Sequence, residues 1–119
     1  MPLTILYAED DNTIRLAVKE TLEHEGWQVE ACADGLSALA RLAGGESYSL
    51  LLFDNQLPGV DGIELTRRAR ALVHRRSTPV VIVSASEVEA EAMAAGADVF
   101  LRKPQDIGRV AEEVARLVR

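Results

Sequence analysis

Four consecutive apolar residues, Leu50 to Phe53, run straight into a carboxylate, Asp54, which is followed by Asn55-Gln56-Leu57-Pro58-Gly59-Val60-Asp61-Gly62. Unbroken apolar character over a strand-length run fits a parallel strand covered on both faces, because a half-exposed strand would alternate. The Pro/Gly-rich stretch after it is a turn. Asp54 is therefore delivered to the carboxyl edge of a sheet, where open α/β folds place their ligands. Two further apolar runs also end in charged residues: Leu3 to Ala8 leads into Glu9-Asp10-Asp11, and Ala97 to Arg102 leads into Lys103-Pro104. Acids from two strand ends with a lysine from a third make a site for a hard cation and a phosphoryl group.

The rest of the chain alternates strand and helix with no linker or low-complexity segment. Ile14, Ala17, Val18 and Leu22 recur at helical spacing up to Gly26, and Trp27 to Cys32 reads as a second strand. Asp34-Gly35 opens a short helix carrying Leu36, Leu39 and Leu42 as far as Gly44-Gly45, and Ser49 to Phe53 is the third strand. Asp61 with Glu64 is a capping-box signature for a helix bearing Leu65, Ala69 and Leu72. Pro79 to Val83 is the fourth strand, Ser86 with Glu89 the cap of a short helix that ends at Gly96, and Ala97 to Arg102 the fifth strand. Ile107, Val110, Val114 and Leu117 form the inner stripe of a last helix. Five repeats of strand then helix imply an α/β domain, a parallel sheet with right-handed crossovers and helices on both faces.

At 119 residues the chain reads as one domain, residues 1–119, long enough to bury a core without disulfides or structural metal. Its single cysteine, Cys32, cannot form an internal bridge and sits in the run Val29-Glu30-Ala31-Cys32, so it reads as a small buried strand residue. No N-terminal stretch has the basic, apolar, small-residue order of a signal peptide, and no apolar run is long enough to span a bilayer. A cytoplasmic protein without membrane contact is predicted. A net charge of −6 argues against a large nucleic-acid footprint. Arg67, Arg68, Arg70, His74, Arg75 and Arg76 form a local basic patch, read here as a solvated helix end near the negative pole of its dipole.

A mononucleotide binder of this architecture would carry a glycine-rich phosphate loop after strand one. Here that turn is Glu9-Asp10-Asp11-Asn12, which would repel a bare phosphate and attract Mg²⁺. Five motifs now stand in order: Glu9-Asp10, Asp54 with Leu57-Pro58-Gly59-Val60-Asp61-Gly62, Ser84-Ala85, Ala95-Gly96-Ala97-Asp98 and Lys103-Pro104. With these in register, the chain resembles the receiver domain of two-component response regulators over essentially its whole length. The resemblance implies a flavodoxin-like, doubly wound sheet of strand order 2-1-3-4-5. It also implies a phosphoacceptor that takes a phosphoryl group from a sensor histidine kinase or phosphotransfer protein and passes the signal to a downstream protein the sequence does not name.

By that resemblance Asp54 is the nucleophile, whose carboxylate attacks phosphorus to give an acyl phosphate. Asp10, Asp54 and the backbone carbonyl of Gln56 would bind Mg²⁺ directly and Glu9 through water, relieving the repulsion of three packed carboxylates. Asp11 reads instead as the cap of the first helix. Lys103 would pair with Asp54 at rest and with a phosphoryl oxygen afterwards, aimed by Pro104 across a cis bond. Ser84 would donate to a phosphoryl oxygen, Ala85 would leave an approach path, and Pro58 and Gly62 would shape the turn beyond Asp54. Phe100 occupies the switch position, coupled to Ser84; with no hydroxyl to hold it at the surface its burial is favoured before phosphorylation, and plain core packing accounts for an inward aromatic equally. Ile14 and Leu16, beside the acid loop, are candidates for contacting the kinase.

Two departures stand out. Glu9 replaces the commoner aspartate, and the stretch from Ser84 to Gly96 is about three residues shorter than in the family, close to one helical turn. A shortened fourth helix and a largely monomeric protein are predicted from the second. Whether the chain is a stand-alone regulator or a receiver from a larger protein stays open. A pseudo-receiver that docks partners without phosphorylation is disfavoured by intact Asp10, Asp54 and Lys103. An aspartyl-phosphate hydrolase would want a carboxylate just beyond the nucleophile, a role Gln56 cannot fill.

Overall fold

The computed structural model describes residues 3–118. Five strands, β1 (Thr4–Ala8), β2 (Gln28–Cys32), β3 (Leu50–Asp54), β4 (Val80–Ser84) and β5 (Val99–Arg102), alternate with α1 (Asn12–His24), α2 (Gly35–Ala43), α3 (Gly62–Ala71), α4 (Glu89–Ala95) and α5 (Val110–Val118). All four strand pairings are parallel and the order is β2-β1-β3-β4-β5. This is the predicted doubly wound sheet. Every residue of β3 and β4 is buried, as the unbroken apolar runs require.

The two-residue period of each strand splits the core into two layers. Leu6, Leu51, Phe53 and Ile82 face α2, α3 and α4, whereas Ile5, Leu50, Leu52, Val81 and Val83 face α1 and α5. Each fully buried leucine or isoleucine contributes about 1.5–3 kcal/mol over an exposed one. Cys32 is buried and free, as expected. Three helices start on aspartate caps: Asp11, Asp34 and Asp61 accept from the amides of Ile14, Ser37 and Glu64.

Several sequence expectations are corrected. The helix of seven residues at α4 is as short as predicted, but Ser86 does not cap it: Val88 precedes the helix without a side-chain cap, and the Ser86 hydroxyl bonds Gln56 instead. Glu64 does not complete a capping box, because its carboxylate is drawn to Arg67 and Arg68. The short helix that carries Leu36, Leu39 and Leu42 does form, with Leu36 off its buried face and 63% exposed. That helix buries Gly35, Ala38 and Leu42, since its first turn lies against Val60, whose carbonyl oxygen would be only 1.8 Å from a Cβ at residue 35. Leu72 falls just beyond α3 as its C-cap, and the last helix begins with a 3-10 turn over Ile107–Arg109.

The basic patch is the largest correction. Arg75 is buried rather than solvated, and its guanidinium donates to the carbonyls of Arg41, Leu42, Gly44 and Glu46 while lying 4.7 Å from the centre of the Tyr48 ring. It adds donors to carbonyls at and just beyond the end of α2, where the intrahelical ladder runs out; the Arg41 carbonyl also accepts from the Gly44 amide. Arg70 does the same at the end of α4, donating to the carbonyl of its C-cap Gly96, and it also donates to the Thr78 carbonyl ahead of β4 and pairs with Asp98. Cations do meet negative helix ends here, but those of neighbouring helices and from inside.

Candidate functional site

The parallel register brings the carboxyl ends of β1, β3 and β5 to one edge. Asp54 closes β3 and is buried; Glu9, one residue past β1, is also buried, while Asp10 is exposed at the rim. One carboxylate oxygen from each of the three lies within 4.8 Å of the others. Hard oxygen donors at this spacing suit a divalent cation such as Mg²⁺. The Lys103 ammonium bridges two of them, 2.5 Å from Asp54 Oδ2 and 2.7 Å from Glu9 Oε1. The extra methylene of glutamate over aspartate lengthens the reach of this carboxylate, which also accepts from the Asp11 amide at 3.1 Å.

Backbone details aim these groups. The Lys103-Pro104 bond is cis, and the Lys103 amide donates to the Ser84 carbonyl at 3.0 Å, tying the lysine turn to the end of β4. Gly62 lets α3 start against the Asp54 backbone, since a Cβ there would lie 2.6 Å from the Asp54 carbonyl oxygen. The Pro58 carbonyl accepts from Gly35 and Val60, and Gly59 takes a left-handed φ of 87°, which folds the turn compactly over the start of α2.

Burial pushes the Glu9 carboxyl up to about 7, with the neighbouring Asp54 adding to the rise and the hydrogen bond from Lys103 opposing it. Burial works against the charged form of Lys103, but its bonds to Asp54 and Glu9 outweigh that, and its pKa is raised. Beneath the carboxylates a cavity of about 10 Å³, room for one water molecule, is lined by Tyr7, Glu9, Asp54 and apolar core residues. Burial, then the charges of Glu9 and Asp54, hold the Tyr7 hydroxyl protonated.

Ser84 is fully buried at the end of β4. Its hydroxyl oxygen accepts from Gln56 Nε2 at 2.8 Å and from the Ser86 amide at 3.0 Å. Both lone pairs are thereby used, and what the hydroxyl retains is its proton to donate. Gln56 also turns its own amide to Asp54 Oδ1 at 3.0 Å, so this one exposed residue links the β3 carboxylate to the β4 hydroxyl. The sequence points to the Gln56 backbone carbonyl alone, because nothing in local spacing marks a side chain that acts across strands. Ala85 is exposed, and Phe100 is buried on β5. Ile14 is half-buried and packs against the α1/α5 layer, whereas Leu16 is 59% exposed.

The family model for the response regulator receiver domain matches residues 5–115. The chain belongs to this family. It is 37% identical over 105 residues to the transcriptional regulatory protein CseB of Streptomyces coelicolor, a match covering 86% of this chain and 43% of that one. It is 30% identical to the response regulator MprA of a Mycobacterium species, covering 100% of this chain and 52% of that one. The chain thus spans about half the length, or less, of these curated relatives. Among solved structures, a CheY-like receiver domain protein of Methanospirillum hungatei superposes with a TM-score of 0.89 at 30% identity, covering 99% of this chain and 94% of that one. The receiver domain of the sensor histidine kinase PA1611 of Pseudomonas aeruginosa, solved with magnesium in its active-site cleft, superposes with a TM-score of 0.88 at 26% identity, covering 99% of this chain and 98% of that one. Among the described residues no helix is long and apolar enough to cross a membrane.

Proposed function

We propose that this receiver domain accepts a phosphoryl group on Asp54 from the phosphohistidine of a sensor histidine kinase or phosphotransfer protein. The observation that carries the reading is the Lys103 ammonium between Asp54 and Glu9, beside a three-carboxylate cluster in which Asp54 and Glu9 are buried and Asp10 lies at the rim. An Asp54 oxygen attacks phosphorus as the phosphorus–nitrogen bond of the donor breaks, and the imidazole leaves with a proton. Glu9, Asp10, Asp54 and the Gln56 carbonyl would hold Mg²⁺, which supplies charge neutralisation for the incoming phosphoryl oxygens. Lys103 exchanges its bond to the Asp54 carboxylate for one to a phosphoryl oxygen. Ser84, whose free capacity is donation, offers its proton to another, and exposed Ala85 leaves the approach open.

The new charge on Asp54 biases two packings of the β4 end and Phe100, which is how modification is read at the surface. Leu16, exposed on α1 next to the acid loop, is the apolar contact that seats the kinase helix bundle, with half-buried Ile14 offering a smaller apolar surface on the same helix. The setting is cytoplasmic. Transfer from a phosphorylated donor should require Mg²⁺ and stop on chelation; transfer that persists undiminished in excess chelator would overturn the metal's role.

A further inference from the structure

The segment between β4 and α4 is pinned on both flanks. On the β3 side the Gln56 carboxamide bonds the hydroxyls of Ser84 and Ser86 and accepts from the Ala85 amide. On the β5 side a single cation does the work. Arg102 Nη2 lies 2.7 Å from Glu89 Oε1, at the first turn of α4, and its Nε lies 3.2 Å from Glu87 Oε1 in the loop. Its guanidinium passes 5.4 Å from the centre of the Phe100 ring. Arg102 is also the register partner of Ser84 in the sheet and the immediate neighbour of Lys103. One side chain therefore joins the end of β5, the loop and the start of α4, over a buried aromatic.

We infer that Arg102 is a positioning residue, an ionic strap that holds the loop from Ala85 to Glu89 in its resting place over Phe100. The inference rests on the phosphoacceptor reading in one respect: it takes the charge on Asp54 to bias a second packing of the β4 end and Phe100, and any such repacking of the segment after Ser84 works against this strap. The carboxylates of Glu87 and Glu89 are 78% and 51% exposed, so the strap is held in contact with solvent salt. A ligand displaces such an equilibrium only by what it gains in the other arrangement, so weakening the strap raises affinity for anything that needs it open. The shortness of α4 concentrates this control, because Glu87 and Glu89 fall within two residues of each other where loop becomes helix.

The test compares the native protein, Arg102→Gln, and the double variant Glu87→Gln/Glu89→Gln, which leaves Arg102 and all buried groups in place should the first variant fold poorly. Amide exchange across residues 85–89 should rise about two- to fivefold in both variants, the scale of an exposed ion-pair network with a cation–π contact. Added salt should do the same to the native protein but little to the variants. Beryllofluoride with Mg²⁺, a phosphoryl mimic, should bind both variants about two- to fivefold more tightly, an effect that a merely structural contact would not produce. Exchange unchanged by substitution and by salt, or affinity unchanged or lowered in both variants, would overturn the strap. If the native protein binds no beryllofluoride, the reading of Asp54 fails and the exchange arm alone decides the strap.

Discussion

The Lys103 ammonium lies 2.5 Å from the Asp54 carboxylate although 49 residues separate them in the chain. The contact exists because β1, β3 and β5 end at the same sheet edge, and because the Lys103 amide is tied to the Ser84 carbonyl. With Glu9 on its other side, the lysine neutralises part of a cluster whose acids would otherwise repel one another.

Metal binding is expected to depend on pH through Glu9. Its folded pKa of about 7 lies above the ordinary 4.5, so between those values the folded protein holds a proton the unfolded chain has released. The stability this contributes to the metal-free protein is present at low pH and falls as pH rises through about 7. A cation displaces that proton, so Mg²⁺ affinity should climb from about pH 6 to about pH 8 with measurable proton release. Calorimetry in buffers of different ionisation enthalpy checks it, and Glu9→Gln should flatten the dependence. Asp10→Ala should weaken Mg²⁺ binding more than Glu9→Ala; the reverse ranking would mean that the direct ligand is Glu9.

Arg75→Ala should destabilise the fold by on the order of 3 kcal/mol, since it leaves a cavity and strips buried carbonyls of their donors. Arg75→Lys should recover only part of that, because an ammonium cannot reproduce a planar fork reaching four carbonyls. Urea denaturation with an unchanged m-value measures both.

Much of this molecule was legible in sequence because each functional group follows an apolar run: a buried strand fixes its own boundaries, and the carboxyl end of a parallel strand fixes where its next residue points. Asp54, Glu9, Asp10 and Lys103 all meet that condition. Arg75 does not, since its partners are backbone carbonyls of residues 41 to 46, which carry no signature in composition; among surface arginines it looked like one more. Gln56 and Arg102 escaped for the same reason, because their partners lie across strands and are set by tertiary approach. The false cap at Ser86 shows local chemistry losing to a competing bond, the one from Gln56.

Leu16→Glu is expected to slow phosphotransfer from the cognate kinase by about tenfold or more, the loss of one apolar anchor at an interface, while labelling by acetyl phosphate is spared. Leu16 is exposed, so the substitution costs the fold little. Equal loss with both donors would argue for damage to the site itself rather than to docking.

A short α4 leaves little helix surface beside β5, and specific stable interfaces generally bury about 1,000 Å² or more. Light scattering after size-exclusion chromatography should therefore give a monomer with and without beryllofluoride. An activated dimer whose interface maps to residues 86–95 would contradict this.

The central claim is that Asp54 accepts the phosphoryl group, and site mapping after incubation with acetyl phosphate and Mg²⁺ tests it most directly. A single hydroxylamine-sensitive phosphoryl group is expected on Asp54 and none on a folded Asp54→Asn variant, whose amide is a far poorer nucleophile. Undiminished labelling of that variant, or a phosphoryl group mapped to another residue, would contradict it.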